Sequence, residues 1–220
     1  STGKTISLGS QFTQLIATDL KSSTGSPPEQ IWTTDQNRML VLSFQNNTTT
    51  FLSIRGDSID ELQKPANEQD NFFVTKKDKT IYFCQLYNSN SIQVTNNYFL
   101  HFRHNIDFSN VKRVLKWLPP AGVKITLATH SKSQLCIVLS NNEIIYFELS
   151  EDNTSLNEFQ DHIEDYQEEH NNEVSAIALS SDEMKSNFLL VASRTDHLLK
   201  LYSLKKNDTF MENLAMQVLT

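Results

Sequence analysis

The sequence is poor in glycine, proline and cysteine, with 5, 5 and 2 residues of these types among 220. Cys84 and Cys136 each lie inside an apolar run, which favours small buried hydrophobes over a redox, metal or disulfide role. No signal peptide and no apolar run of membrane length are present, so we expect a soluble protein. The chain does not begin with Met and starts almost inside a strand, so we expect a piece of a longer protein.

Dense runs of Lys and Arg are also missing, and the formal net charge is -7. An acidic chain is a poor candidate for holding phosphate backbones over its whole surface. Convincing long helices are absent as well. Short apolar runs rich in Val, Ile, Tyr and Phe, bounded by Asn, Asp, Ser and Thr, predict an all-β protein.

Sequence signatures of catalysis and cofactor binding are not found. The opening "STGKT" lacks the upstream glycine and the following helix of a phosphate-binding loop. His101 and His104 are three residues apart on a strand end, without a Cys or acidic partner in step, so a metal site is not predicted. No Gly-x-Ser-x-Gly elbow or Cys-His pair stands out. We therefore predict no enzymatic activity, no cofactor and no metal.

What the sequence does contain is a repeated hairpin. The first three copies have an Asn-Asn pair at the turn, and the fourth has Thr195-Asp196 there. Asn tolerates positive φ better than most residues, as tight hairpin loops require. The turn type itself stays open. The copies are "MLVLSFQNNTTTFLSI" (39–54), "SIQVTNNYFLHFR" (91–103), "CIVLSNNEIIYFELS" (136–150) and "FLLVASRTDHLLKLYSL" (188–204).

The spacing of these hairpins predicts a β-propeller. Their turns are 50, 45 and 55 residues apart, counted from Asn46 to Asn96, Asn141 and Asp196, and a period near 40–50 residues is typical of propeller blades. In the third hairpin, apolar residues occupy both faces of both arms, which a blade stacked between two neighbours requires and a one-sided sandwich sheet does not. Each hairpin follows another predicted strand, at 30–34, 80–87, 124–131 and 174–180, and outer strands are predicted at 111–117 and 156–163.

We therefore expect an all-β, divergent WD40-like β-propeller, of which the chain holds about four to five blades of a seven-bladed ring. It lacks the Gly-His and Trp-Asp marks of typical WD40 repeats. Residues 1–28 would end one blade, and the whole of 1–220 would belong to one propeller domain. The following blades are predicted at 29–79, 80–120, 121–165 and 173–220.

Two charged regions are candidate interaction surfaces. The segment 158–173 is the most acidic and could bind a cation or a basic partner, although a solvated loop is the favoured interpretation. Its candidate interface residues are Asp161, Glu164, Asp165, Glu168 and Glu169. Basic and aromatic residues interleave around 98–116, as in platforms for single-stranded nucleic acid, although packing in the blade core is favoured for the aromatic residues. The candidate basic residues there are Arg103, Lys112, Arg113 and Lys116.

The run "KRVLKWLPPAGVKITLATHSKSQLCIVLSNNEIIYFELSEDNTSLNEF" (112–159) resembles the second propeller of the large propeller subunit (subunit 3) of splicing factor 3b. The resemblance continues through 188–204 and 215–219. It extends upstream to 30–34 and 92–103, and is weak in 55–79 and 160–172. The wider family includes the large subunit of the damaged-DNA-binding protein and the largest subunit of the cleavage and polyadenylation specificity factor.

The resemblance implies a non-enzymatic scaffold of the U2 small nuclear ribonucleoprotein, acting in the nucleus in branch-site recognition and spliceosome assembly. The implied partners are the other splicing factor 3b subunits, among them a helical-repeat subunit, and further spliceosomal proteins, with RNA contacted mainly through the complex. The implied alternatives are an adaptor of a cullin ubiquitin ligase in DNA repair and a subunit of the messenger-RNA 3′-end cleavage machinery. Asn141-Asn142 departs from relatives, which tend to carry glycine there, and the loops 58–71 and 160–172 look longer or more polar.

Overall fold

A computed structural model of the chain describes residues 26–34, 39–55, 58–61, 78–105, 110–149, 156–159, 173–195, 197–204 and 213–218, with the last strand and 156–159 described by their backbone. Within these residues the regular structure consists of sixteen β-strands in four antiparallel sheets, and every sheet keeps its strands in chain order. Among the described residues, no helix is long and apolar enough to cross a membrane.

Sheets I and II occupy the first half of the chain. Sheet I contains β1 (Pro28–Thr33), β2 (Met39–Phe44), β3 (Thr49–Arg55) and β4 (Ser58–Glu61). Sheet II contains β5 (Thr80–Leu86), β6 (Asn90–Thr95), β7 (Phe99–His104) and β8 (Val111–Trp117).

Sheets III and IV repeat the same plan in the second half. Sheet III contains β9 (Ile125–His130), β10 (Gln134–Leu139), β11 (Ile144–Leu149) and β12 (Leu156–Phe159). Sheet IV contains β13 (Val174–Ala178), β14 (Phe188–Ser193), β15 (Leu198–Ser203) and β16 (Asn213–Val218). The four predicted hairpins are confirmed as the second and third strands of the four sheets. The outer strand predicted at 156–163 is described as far as Phe159.

Both faces of the third hairpin are buried by neighbouring sheets, as its apolar pattern predicts. On β10, Leu135, Ile137 and Leu139 belong to a core cluster shared with sheet II. Cys136 and Val138 alternate with them and belong to a cluster shared with sheet IV. Because side chains of a strand alternate between faces, one six-residue strand contributes to two separate cores.

The sheets are arranged around an axis along which their first strands meet. β1 contacts β5, β5 contacts β9, and β9 contacts β13. The chain order within each sheet then places β4, β8, β12 and β16 on the outside. Four sheets stacked face to face, with their first strands inside, form part of a β-propeller. The predicted fold class is therefore confirmed.

Asparagine supplies the positive φ of two of the predicted turns. Asn47 has φ 66° and Asn142 has φ 68°. In the third hairpin the Leu139 N–H donates to the Glu143 carbonyl at 2.8 Å and the Asn142 N–H donates to the Leu139 carbonyl at 2.9 Å. This is a three-residue loop whose last residue is left-handed, a common hairpin connection. The Asn142 side chain also accepts a hydrogen bond from the Val174 N–H at 3.3 Å, so it ties the turn to sheet IV.

The other two turns are built differently. Asn96 and Asn97 are not at positive φ, and the Thr95 hydroxyl accepts hydrogen bonds from the Asn97 and Tyr98 N–H groups at 3.1 and 3.0 Å. In the fourth hairpin the left-handed residue is His197, with φ 56°, rather than Thr195. Asp196 lies outside the described residues.

A buried polar network holds sheet III against sheet IV. The fully buried Gln134 amide donates to the Tyr146 hydroxyl at 2.9 Å and to the Ser186 carbonyl at 3.0 Å. Its oxygen accepts from the Ser186 N–H and from the Ser131 hydroxyl, both at 2.6 Å. Buried polar groups are tolerated when their hydrogen bonds are made, so this network fixes the loop before β14 on the turn between β9 and β10.

Candidate interaction surfaces

The acidic candidates all lie outside the described residues. They are Asp161, Glu164, Asp165, Glu168 and Glu169. A partner interface on this segment therefore stays a prediction.

The four basic candidates lie together at the outer side of sheet II. Arg103 is on β7, and Lys112, Arg113 and Lys116 are on β8, the edge strand of the sheet. All four side chains are exposed. They therefore form one surface, which we call the basic edge.

A β-bulge distributes the basic edge over both faces of the sheet. Arg103 pairs with Lys112 on the face toward sheet III, whereas Arg113 pairs with Phe102 on the face toward sheet I. The register then shifts at Val114, and Lys116 pairs with Leu100. The extra residue places Lys116 on the same face as Arg113, because a bulge changes which way the following side chains point.

Three aromatic side chains near the basic edge are packed in the core. Phe99 and Phe102 are fully buried. Trp117 stacks on Phe99 at 5.5 Å between ring centroids and meets Phe147 of sheet III edge to face at 5.5 Å. These rings are therefore packed between sheets, in line with the favoured interpretation of the sequence.

The Tyr98 ring is in direct contact with a basic candidate. Lys116 Nζ lies 4.1 Å from its ring centroid, a cation–π contact. The Tyr98 hydroxyl donates to Asp78 at 3.1 Å. Burial, followed by the nearby Asp78 carboxylate, raises the pKa of Tyr98 to about 12, so the hydroxyl is protonated at neutral pH.

Acidic partners for the basic edge are lacking in the described part of the chain. The ion pairs described there join Lys79 to Glu29 and Lys185 to Glu148. The four cationic side chains are exposed, and Lys116 also contacts the Tyr98 ring.

His101 and His104, beside the basic edge on β7, point to opposite faces and cannot share a metal ion. Burial, followed by the charge of Arg103, lowers the pKa of His101 to about 4. Burial also lowers the pKa of His104. His104 Nδ1 lies 2.9 Å from the Asn105 carbonyl, which can only accept, so Nε2 accepts from the Ser91 hydroxyl at 2.8 Å. Both rings are neutral at pH 7 and add no charge to the surface.

A further concave surface, which sequence reasoning missed, lies at the ends of the first strands. It is a cavity of about 570 Å³ lined by Trp32, Tyr82, His130, Lys132 and Asp182, among other residues. The Tyr82 hydroxyl and His130 Nδ1 are 2.8 Å apart. The sequence pattern does not reveal this cavity, because the cavity forms only when the radial arrangement of the sheets brings together strands that are about 50 residues apart in the sequence.

The described residues contain neither a reactive cysteine nor a metal-binding cluster. Burial raises the pKa of both the Cys84 and the Cys136 thiol, so neither is a thiolate nucleophile at neutral pH. No three His, Cys, Asp or Glu residues in the described ranges are placed to hold a metal ion.

Comparison with known proteins extends these observations. Residues 17–220 match the family model described as the RSE1/DDB1/CPSF1 second beta-propeller. The chain is 35% identical over 218 residues to pre-mRNA-splicing factor RSE1 of Eremothecium gossypii, covering 96% of this chain and 16% of that protein. It is 30% identical over 215 residues to RSE1 of Saccharomyces cerevisiae, covering 95% and 15%. The chain thus spans about one sixth of the length of these curated relatives.

Solved structures with little sequence similarity show the same fold. Periplasmic gluconolactonase PpgL of Pseudomonas aeruginosa matches with a TM-score of 0.64 at 11% identity, over 88% of this chain and 55% of that one. A protein from Lactobacillus plantarum matches with a TM-score of 0.60 at 12% identity, over 86% and 57%. At such identities the likeness concerns the fold alone.

Proposed function

The chain belongs to the RSE1/DDB1/CPSF1 second β-propeller family, and from this membership we propose that it is part of a nuclear pre-mRNA splicing factor. The observation that carries the proposal is the similarity over nearly the whole chain to proteins named as splicing factors, at 35% identity in one yeast and 30% in another. More distant, Schizosaccharomyces pombe prp12 is also named as a splicing factor and is 27% identical over 223 residues.

Within such a factor, the proposed role is a non-enzymatic scaffold of splicing factor 3b, acting in branch-site recognition and spliceosome assembly. The proposed partners are the other splicing factor 3b subunits, including a helical-repeat subunit. The non-enzymatic part of the proposal is supported by the relatives, which are named as splicing factors. Function belongs to surfaces rather than to a fold, so partners are to be sought at the basic edge and at the cavity between the first strands.

The four sheets are proposed to be consecutive blades, bounded at 29–79, 80–120, 121–165 and 173–220, with 1–28 ending the preceding blade of a seven-bladed ring. An exposed apolar side chain on the face of sheet IV opposite sheet III supports continuation of the ring. Leu190 lies on that face, because Leu189 and Val191 pack toward sheet III, and it is 41% exposed. In sheet III, the positions on the corresponding face of the second strand are Gln134, Cys136 and Val138, and sheet IV covers them.

A second candidate function follows from the breadth of the family. Its description also contains DDB1 and CPSF1, so an adaptor of a cullin ubiquitin ligase in DNA repair, or a subunit of the 3′-end cleavage machinery, is the alternative. The splicing role is favoured because the relatives at 30–35% identity named above are splicing factors.

Affinity purification of the tagged full-length protein tests the proposal. We expect stoichiometric recovery of splicing factor 3b subunits that resists nuclease treatment, with an untagged strain as control. Recovery of a cullin or of 3′-end cleavage factors, without splicing factor 3b subunits, would overturn it in favour of the alternative.

A further inference from the structure

The outer strand of sheet II differs in charge from the other outer strands. β8 contains Lys112, Arg113 and Lys116 and no acidic residue. In contrast, the charged residues of β4 and β12 are all acidic, and β16 contains no charged residue. In a chain of net charge -7, this concentration of cations on one sheet edge is a local reversal of the overall charge.

The cations are arranged as a neighbouring β-strand would need them. A strand hydrogen-bonded to β8 would project alternate side chains to the two faces of sheet II. Arg103 and Lys112 lie on one of these faces, and Arg113 and Lys116 lie on the other. Acidic residues at successive positions of an added strand could therefore reach cations on both faces. An edge strand also has outward N–H and C=O groups that such a strand can use.

The surroundings of β8 favour a polypeptide over a nucleic acid. Single-stranded nucleic acids are held by exposed aromatic platforms combined with cations. Here Trp117, Phe99 and Phe102 are packed in the cores, and one face of the Tyr98 ring is in contact with Lys116. Leu118, directly after the strand, is 63% exposed and provides an apolar contact at that end.

We propose that β8 is the docking edge for an extended acidic segment of a partner protein, which adds to sheet II as a fifth strand. Its carboxylates pair with Arg103 and Lys112 on one face and with Arg113 and Lys116 on the other, and an apolar side chain covers Leu118. This inference takes one element from the proposed function, namely that the chain is a scaffold that binds other proteins. It does not depend on the identity of the assembly.

The probe is a fluorescein-labelled octa-glutamate peptide, and its binding to the purified full-length protein is measured by anisotropy at about 0.1 M salt, where the Debye length is about 10 Å. Reversing one cation on each face, with Lys112→Glu and Arg113→Glu together, should weaken binding at least tenfold. The matched control, Lys124→Glu with Arg194→Glu, makes the same change in net charge at exposed positions beside sheets III and IV and should alter binding less than twofold. Circular dichroism confirms that both variants are folded.

Two further probes separate the modes of binding. The same peptide with alternate backbone nitrogens methylated cannot complete a strand ladder and should bind at least tenfold more weakly. Unchanged binding of the methylated peptide would overturn strand addition. Tighter binding of octauridylate, in competition with the peptide, would overturn the proposal in favour of RNA. If the peptide does not bind, or if the control variant loses as much affinity as the β8 variant, the proposal is overturned. The lysines of β8 would then only protect the edge strand from aggregation. The recovery of splicing factor 3b subunits is measured separately and is unaffected by these outcomes.

Discussion

Replacement of Phe147 by Ala should loosen two sheets at once. Phe147 is 1% exposed, on β11 of sheet III, and its ring lies between two rings of sheet II. The centroid distances are 5.0 Å to Phe99 and 5.5 Å to Trp117, with interplanar angles of 82° and 79°. Both contacts are edge to face, the arrangement that aromatic pairs prefer.

The expected loss can be estimated from burial and ring contacts. Truncation of a buried Phe to Ala costs roughly 3–5 kcal/mol, because apolar contact is lost and a cavity is left. Phe147→Leu keeps most of the apolar volume and removes the two ring pairs, so it should cost about 1–3 kcal/mol. Leu118→Ala, at a position that is 63% exposed, should cost less than about 0.5 kcal/mol.

Hydrogen exchange of the full-length protein, followed by mass spectrometry, reports these changes for each sheet. Exchange should accelerate in both β10–β11 and β6–β7, since local opening of either sheet exposes the shared core. At about 1.4 kcal/mol for each factor of ten, Phe147→Ala should speed exchange roughly a hundredfold to several thousandfold. Acceleration confined to sheet III, with sheet II unchanged, would refute the packing of these two sheets against each other.

Three further predictions concern a buried histidine, a turn and a polar network. Burial, followed by the charge of Arg103, lowers the pKa of His101 to about 4, whereas the pKa of His in an unfolded chain is about 6.5. The contribution of His101 to the free energy of unfolding is therefore present above pH 6.5 and falls by about 2.5 kcal/mol at pH 4.5. In urea melts, His101→Gln should lose less stability between pH 7 and pH 4.5 than the unsubstituted protein does, and an equal loss in both proteins would be the contrary result. Asn142→Gly keeps the left-handed turn but loses the hydrogen bond to the Val174 N–H, so it should lower the free energy of unfolding by about 0.5–1.5 kcal/mol. Asn142→Ala should lower it by about 1–2 kcal/mol more in the same melts, because Ala is disfavoured in the left-handed conformation. Equal costs of the two substitutions would refute a role for the backbone conformation. Gln134→Leu leaves the buried N–H and carbonyl groups of Ser186 without their partner and should cost about 1–3 kcal/mol for each group. Exchange should become faster at the β9–β10 turn and in the loop before β14, and unchanged exchange in that loop would contradict the network.

Most of the fold could be predicted because it is encoded locally. The unbroken apolar run Leu135–Leu139 places apolar side chains on both faces of the strand, so both faces require cover, and the hairpin period repeats that requirement along the chain. The turns were harder to predict. Asn47 and Asn142 take the left-handed conformation, whereas at Asn96-Asn97 the hydroxyl of Thr95 makes the turn bonds instead. Local sequence permits both solutions.

The candidate surfaces were less predictable, because they depend on register and on distant residues. Strict alternation would place Lys112 and Lys116 on one face of β8, but the bulge at Val114 separates them. A bulge is not visible in the alternation of residue types. Likewise, the partner of Gln134 is Ser186, which lies 52 positions later in the chain. Only the stacking of sheets III and IV brings these residues together.

The most direct test of the splicing role is rapid depletion of the full-length protein in the organism that encodes it, followed by sequencing of newly made RNA. A component of branch-site recognition is required before the first chemical step of splicing, so unspliced introns should accumulate soon after depletion, before 3′-end formation changes. Normal intron removal, together with a primary defect in 3′-end cleavage or in ubiquitin-dependent degradation, would contradict the proposed function and support the alternative within the same family.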